Sequence, residues 1–147
     1  MLELKPITKD NWMDAISLKV REDQEDFIAS NTFSLAQLNF LENFFAKGIY
    51  RHEEIIGFTL YGIDEIDNDY WIYRMMIDEQ FQGKGFGQKA IHLIIEDIKQ
   101  LKQPHHQSIT ISYEPENAHA KYIYEKAGFV EIEGLVIEEE QVARYTF

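Results

Sequence analysis

Two rhythms of apolar residues alternate along this chain, one of period two and one of period three to four. Residues 2–6 alternate as a short first strand. Asp10 or Asn11 can cap a helix running to about Val20, in which Trp12, Ala15, Ile16 and Val20 fall on one face. An acidic connector, REDQEDFIASNT, follows. Ser34 then reads as the N-cap of a second helix with Leu35, Leu38, Leu41 and Phe45 as its stripe, stopped by Gly48. Residues 49–52 and 55–63 predict a hairpin turning at Glu53 and Glu54, and residues 70–77 a third long strand, apolar enough to be central.

The period then changes. Residues 85–101 predict a helix with Ala90, Ile94, Ile98 and Leu101 on a common face, and residues 108–113 another strand. Asn117 caps a helix running to Ala127, and Gly128 ends it. Residues 129–135 and 141–146 supply two closing strands. The order β-α-α-β-β-β-α-β-α-β-β predicts an α/β (α+β) fold, a mixed central sheet of about seven strands flanked by about four helices.

Composition narrows the class. The 147 residues are 45% hydrophobic and carry no linker-like or repeated stretch, so one domain over 1–147 is expected. The opening MLELKPITKDNW has no signal-peptide pattern and no apolar run is long enough to cross a bilayer. Without cysteine there is no disulfide framework and no thiolate chemistry, which fits a cytoplasmic protein. A formal charge of −12 disfavours nucleic acid and anionic membrane as partners and favours cationic ligands. The five histidines lack metal-site spacing, so no metal is expected.

The most informative segment is MMIDEQFQGKGFGQKA. Gly83, Gly85 and Gly87 lie between a strand and a helix, where glycine lets backbone N–H groups approach one point and the helix dipole adds positive potential. Such a turn suits a diphosphate, with Lys84 and Lys89 as local cations. It matches neither the mononucleotide-binding G-x-x-x-x-G-K-[ST] nor the dinucleotide-binding G-x-G-x-x-G.

The string Gln82-Gly83-Lys84-Gly85-Phe86-Gly87 resembles the Q/R-x-x-G-x-G/A pattern of the GNAT N-acetyltransferase superfamily. A second resemblance lies in ENAHAKYIYEKAGF, at Asn117, Ala120, Tyr124, Gly128 and Phe129. The resemblance implies a GNAT acyl-CoA N-acyltransferase fold, acetyl-coenzyme A as cosubstrate and a small-molecule amine as acceptor. It further implies that backbone groups of Met75, Met76 and Ile77 pair with the pantetheine arm. The stretch Gln82, Gly83, Lys84, Gly85, Phe86, Gly87 and Gln88 would then hold the pyrophosphate, and Asn117 would touch the cofactor. Tyr124 would protonate the leaving thiolate, with a backbone N–H near Met76 stabilising the oxyanion. Many relatives carry a carboxylate on the fourth strand as general base. Here that strand, Tyr70-Trp71-Ile72-Tyr73-Arg74-Met75, has none, so a water chain ending at an acid from another element is expected instead.

Acceptor contacts in this superfamily come from the first two helices, their connector and the last strands. Glu22, Glu25, Asp26 and Phe27 in that connector suit a polycation through ion pairs and cation–π contact. Three segments, QEDFIASNTFSLAQ, WIYRMMIDEQFQGKG and SYEPENAHAKYIYEKAGF, resemble the bacterial spermine/spermidine (diamine) acetyltransferase branch. The rival expectations are the same chemistry on an aminoglycoside, amino acid or protein N-terminus, and a non-catalytic acetyl-coenzyme A sensor. A homodimer is carried over by analogy, since dimers are common in the superfamily.

Overall fold

The computed structural model describes every residue from Met1 to Phe147. Seven strands form one sheet: β1 (Leu2–Pro6), β2 (Phe44–Arg51), β3 (Glu54–Asp64), β4 (Asp69–Ile77), β5 (Ser108–Tyr113), β6 (Val130–Ile137) and β7 (Glu140–Thr146). Their spatial order is β1-β2-β3-β4-β5-β7-β6. All neighbours are antiparallel except β4 and β5, which run parallel and are joined through α3 (Phe86–Leu101). The remaining helices are α1 (Trp12–Ser17), α2 (Asn31–Leu38) and α4 (Ala118–Ala127).

Each face of the sheet is covered by one pair of helices. On one side Ile91, Ile94, Ile95 and Ile98 of α3 and Ile123 and Tyr124 of α4 pack on Tyr70, Ile72, Ile109, Ile111 and Tyr113. Burying each of those isoleucines contributes roughly 1.5–3 kcal/mol. On the other side Ala15 of α1 joins Ala46, Phe58, Leu60 and Met76, with Leu35 and Leu38 of α2 packed against them. Asp97 on α3 accepts a hydrogen bond from the Tyr61 hydroxyl and lies 2.9 Å from Lys47 Nζ, which fixes the helix on β2 and β3.

The predicted element order holds, and β5 and α4 begin and end where expected. The first two helices differ. The first stops at Ser17, because Lys19 N donates to Asp78 Oδ1 (2.9 Å) and Lys19 O accepts from Glu79 N (2.8 Å), which draws the chain out along the β4–α3 turn. The acidic connector winds into a 3-10 turn, Glu22–Phe27. The second helix is capped by Ser30, whose hydroxyl accepts from Phe33 N at 3.0 Å, not by Ser34. Ser34 is buried inside the helix and its hydroxyl donates to Ser30 O. Phe45 belongs to β2, because Phe44–Gly48 pairs with Gly62–Phe58 of β3. Asn43 makes the bend into that strand at a left-handed φ of 58°, its carbonyl accepting from Ile63 N.

Ser30→Ala should therefore lower stability by about 1 kcal/mol through loss of the cap, whereas Ser34→Ala should cost less. Chemical denaturation of the two variants checks the order.

Candidate functional site

The site begins where the sheet stops pairing. The β4–β5 ladder consists of Tyr70↔Ile109 and Trp71↔Thr110 alone, so from Ile72 onward the two strands diverge. The cause is visible in the register against β3. Tyr61 pairs with Ile72 and Leu60 with Arg74, leaving Tyr73 as the extra residue of a β-bulge. The bulge bends β4 away from β5 and opens a cavity of about 280 Å³.

The register also settles which backbone groups of β4 look into that gap. Asp78 N donates to Ile56 O, so in this alternation Met76 bonds back to Phe58 of β3. A Cβ on Gly57 would lie 2.5 Å from Met76 O, which shows that carbonyl turned toward β3. Met75 and Ile77 therefore present their amides to the gap. The expected pairing through Met76 is corrected accordingly, its backbone being spent on β3, and its side chain lines the cavity instead. The Ile77 carbonyl is already taken by Gln82 Nε2 at 2.9 Å.

At the far end of β4 the chain makes the glycine turn. Gly83 and Gly85 hold left-handed φ values of 78° and 83°, and a Cβ on either would meet nothing within 4 Å. Gly85 is the N-cap of α3. The N–H groups from Gly83 through Gln88 have no acceptor in the protein, the first bond of the helix being Lys89 N to Gly85 O. Gly87 is glycine for another reason. A Cβ there would press to 3.0 Å of Ile123 Cδ1, so α3 and α4 close together at this point. Gln88 Nε2 donates to Ile123 O across the same junction. Arg51, unremarked in the sequence, places its guanidinium 5.4 Å from the Phe81 ring and 5.6 Å from the Phe86 ring. With Lys84 and Lys89 it gives an acidic chain a basic rim at this turn. Free amides, an open approach and local cations fit a diphosphate.

Tyr124 stands at the other end of the cavity, its ring stacked at 5.8 Å on Tyr113 and edge-on to Phe129. Burial, and secondarily the charge of Glu140, push its phenol well above the usual tyrosine range, so it stays protonated. No protein group hydrogen-bonds its hydroxyl. Asn117 lines the cavity while its Oδ1 caps α4 through Ala120 N.

Of the connector residues, Phe27 faces the cavity. Glu22 and Asp26 lie exposed on the outside of the 3-10 turn, and Glu25 borders a neighbouring hollow. The inward polar residue is Gln24, which no sequence pattern marked. Its Oε1 accepts from Arg21 N and from Gln82 Nε2 (2.9 Å), tying the connector to the glycine turn. No group of three or more metal-ligating side chains is present, and no helix is long and apolar enough to cross a membrane.

An opened parallel strand pair, an amide-lined turn at one end and a buried phenol at the other define a carrier-dependent group-transfer site. The chain belongs to the acetyltransferase (GNAT) family, whose profile matches residues 5–129, and it is an acetyl-coenzyme A-dependent N-acetyltransferase. It is 30% identical over 134 residues to a spermine/spermidine N(1)-acetyltransferase of Bacillus subtilis (strain 168), covering 87% of each chain. A probable spermine N(1)-acetyltransferase of Bacillus subtilis subsp. natto (strain BEST195) is 29% identical over the same span. Among solved structures, the aminoglycoside acetyltransferase AAC(6')-Ib bound to coenzyme A and kanamycin superposes with a TM-score of 0.81 at 17% identity, over 99% of this chain and 95% of that one. A PaiA N-acetyltransferase of Thermoplasma acidophilum in complex with coenzyme A gives 0.72 at 14% identity, over 100% and 99%. These likenesses confirm the fold.

Gln82→Ala should free the connector without unfolding the turn. Amide hydrogen exchange is expected to rise across Glu22–Phe27 and stay unchanged in the middle of α3.

Proposed function

We propose that the chain acetylates a primary amine of a polyamine or diamine such as spermidine or spermine. Its relatives named for spermine and spermidine support this acceptor class. The observation that carries it is an aromatic–carboxylate cluster on β4 and the β3–β4 turn, next to the point where β4 and β5 begin to part. There the Tyr73 hydroxyl donates to Asp64 Oδ2 and Trp71 Nε1 to Asp67 Oδ2, each at 2.6 Å, and the two rings meet edge to face with centroids 6.1 Å apart. Aromatic faces backed by carboxylates attract an extended cation. The overall charge of −12 works in the same direction.

In this reading the free amides of the turn receive the pyrophosphate. The Met75 and Ile77 backbone extends the sheet to the pantetheine arm, and the cosubstrate supplies an acetyl group activated as a thioester. Tyr124 keeps its proton until sulfur leaves. Burial favours the neutral phenol, so the proton is in place to meet the negative charge that develops on sulfur as the C–S bond breaks. The chain acts as one domain, in the cytoplasm.

Arg74 favours a second acceptor class. It projects from the bulge, bonded to Gln37 Oε1 at 2.9 Å, with Nε buried and unpartnered. A cation there suits an acceptor that also carries an anionic group, such as an amino acid.

Release of free thiol from acetyl-coenzyme A, measured across polyamines, diamines, aminoglycosides and amino acids, separates these readings. The highest kcat/KM is expected for spermidine or spermine, and a preference for amino acids would replace the first reading with the second. Tyr124→Phe should lower kcat by about 10²-fold or more while leaving the Kd for coenzyme A within about twofold. Gly85→Val should do the reverse. It loses two or more charge-assisted hydrogen bonds, so coenzyme A affinity should fall about 100-fold by calorimetry.

A further inference from the structure

An alkyl amine at neutral pH is almost wholly ammonium, so an acceptor must lose a proton before its nitrogen can attack. β4 carries no acid between Asp69 and Asp78. The acids around the opened gap are nearly all committed elsewhere. Asp64 and Asp67 hold Tyr73 and Trp71, and Glu131 accepts from the Tyr113 hydroxyl at 2.6 Å and lies 3.6 Å from Lys121. Asp78 is bonded to the amides of Lys19 and Gln80.

Glu140 is the exception. It opens β7 and is half-buried, and its only protein partner is the Ser112 hydroxyl, which donates to Oε1 at 2.7 Å. Its second oxygen is free. Ser112 lies two residues past Thr110, the last β5 residue paired with β4, so this carboxylate is held on the rim of the gap. Side chains alternate along β5. Tyr113 turns toward α4 and stacks on Tyr124, whereas Ser112 and the Glu140 carboxylate it holds lie on the opposite face. Burial dominates at both the Tyr124 phenol and the Arg74 guanidinium, but the charge of Glu140 reaches each of them, adding to the rise at Tyr124 and partly offsetting the fall at Arg74.

We propose that Glu140 is the proton acceptor for the incoming amine, tethered by Ser112 and approaching the thioester from the sheet face opposite Tyr124. This inference rests on the amine-acetylation reading above. The substrate ammonium gives one proton to the free Glu140 oxygen, and the released lone pair forms the C–N bond to the acetyl carbon. The C–S bond breaks with its electrons on sulfur, which takes the Tyr124 proton. The second nitrogen proton restores the phenol, and Glu140 returns its proton to water. One ammonium and one thioester thus yield an amide, a thiol and one proton.

The test compares the best amine of the wild-type panel with its β,β-difluorinated analogue, which has the same chain but is far less basic, so that a large fraction is already free amine at neutral pH. E140Q preserves shape and the bond from Ser112, so the fold is retained. It should lower kcat/KM by about 10²-fold on the parent amine and by less than about fivefold on the analogue, with Kd for coenzyme A unchanged. S112A, which loosens the same carboxylate, should show a smaller loss in the same pattern. Equal losses on both amines, or no loss, would overturn the assignment of Glu140. A wild-type enzyme inert to every amine would instead overturn the acceptor reading, and Glu140's role with it.

Discussion

The shape of the site follows from a single interaction that is cut short, the parallel pairing of β4 with β5. Two residue pairs, at Tyr70 and Trp71, anchor the strands, and the extra residue Tyr73 then turns β4 aside. Extending that ladder would satisfy the backbone of both strands. Leaving it open exposes polar groups of Met75 and Ile77 that only a ligand of similar hydrogen-bonding character can match. The loss is tolerated because both flanks are otherwise secured, β4 by its long antiparallel contact with β3 and β5 by six pairs with β7. A sheet split in the middle but bound at both sides holds its gap without closing it.

The three glycines near that gap share a motif but answer to different physics. Gly83 and Gly85 sit where the backbone turns left-handed over open space, which is a requirement of conformation and of access. Gly87 has an ordinary helical backbone and is confined instead by Ile123. A pattern written as G-x-G-x-G therefore encodes two turns and one helix contact.

Legibility in the sequence tracked how local the determining forces were. The helix from Asn117 to Gly128 was readable to the residue because its cap and its left-handed stop are both local. The glycine turn was readable because its spacing has few alternative uses. The run from Leu35 to Phe45 misled, since its apolar spacing imitates a helix while pairing with β3, a partner further along the chain, claims Phe44 and Phe45 for a strand. Gln24 carries no motif, and its contact with Gln82 spans 58 positions. Glu140 follows Glu138 and Glu139 and looks like part of a solvated acidic turn. Only the β5–β7 register, which brings it to Ser112, sets it apart.

The close junction of Gly87 and Gln88 with Ile123 has a metrical consequence. It clamps the start of α3 to the residue immediately before Tyr124, so the anion cradle and the phenol belong to one stiff piece with a constant spacing between them. Such a piece works as a gauge. In the binding mode proposed above, a carrier whose arm matches that span would present its thioester beside the phenol, while a shorter or longer one, however well its phosphates were seated, would deliver its acyl group to the wrong place.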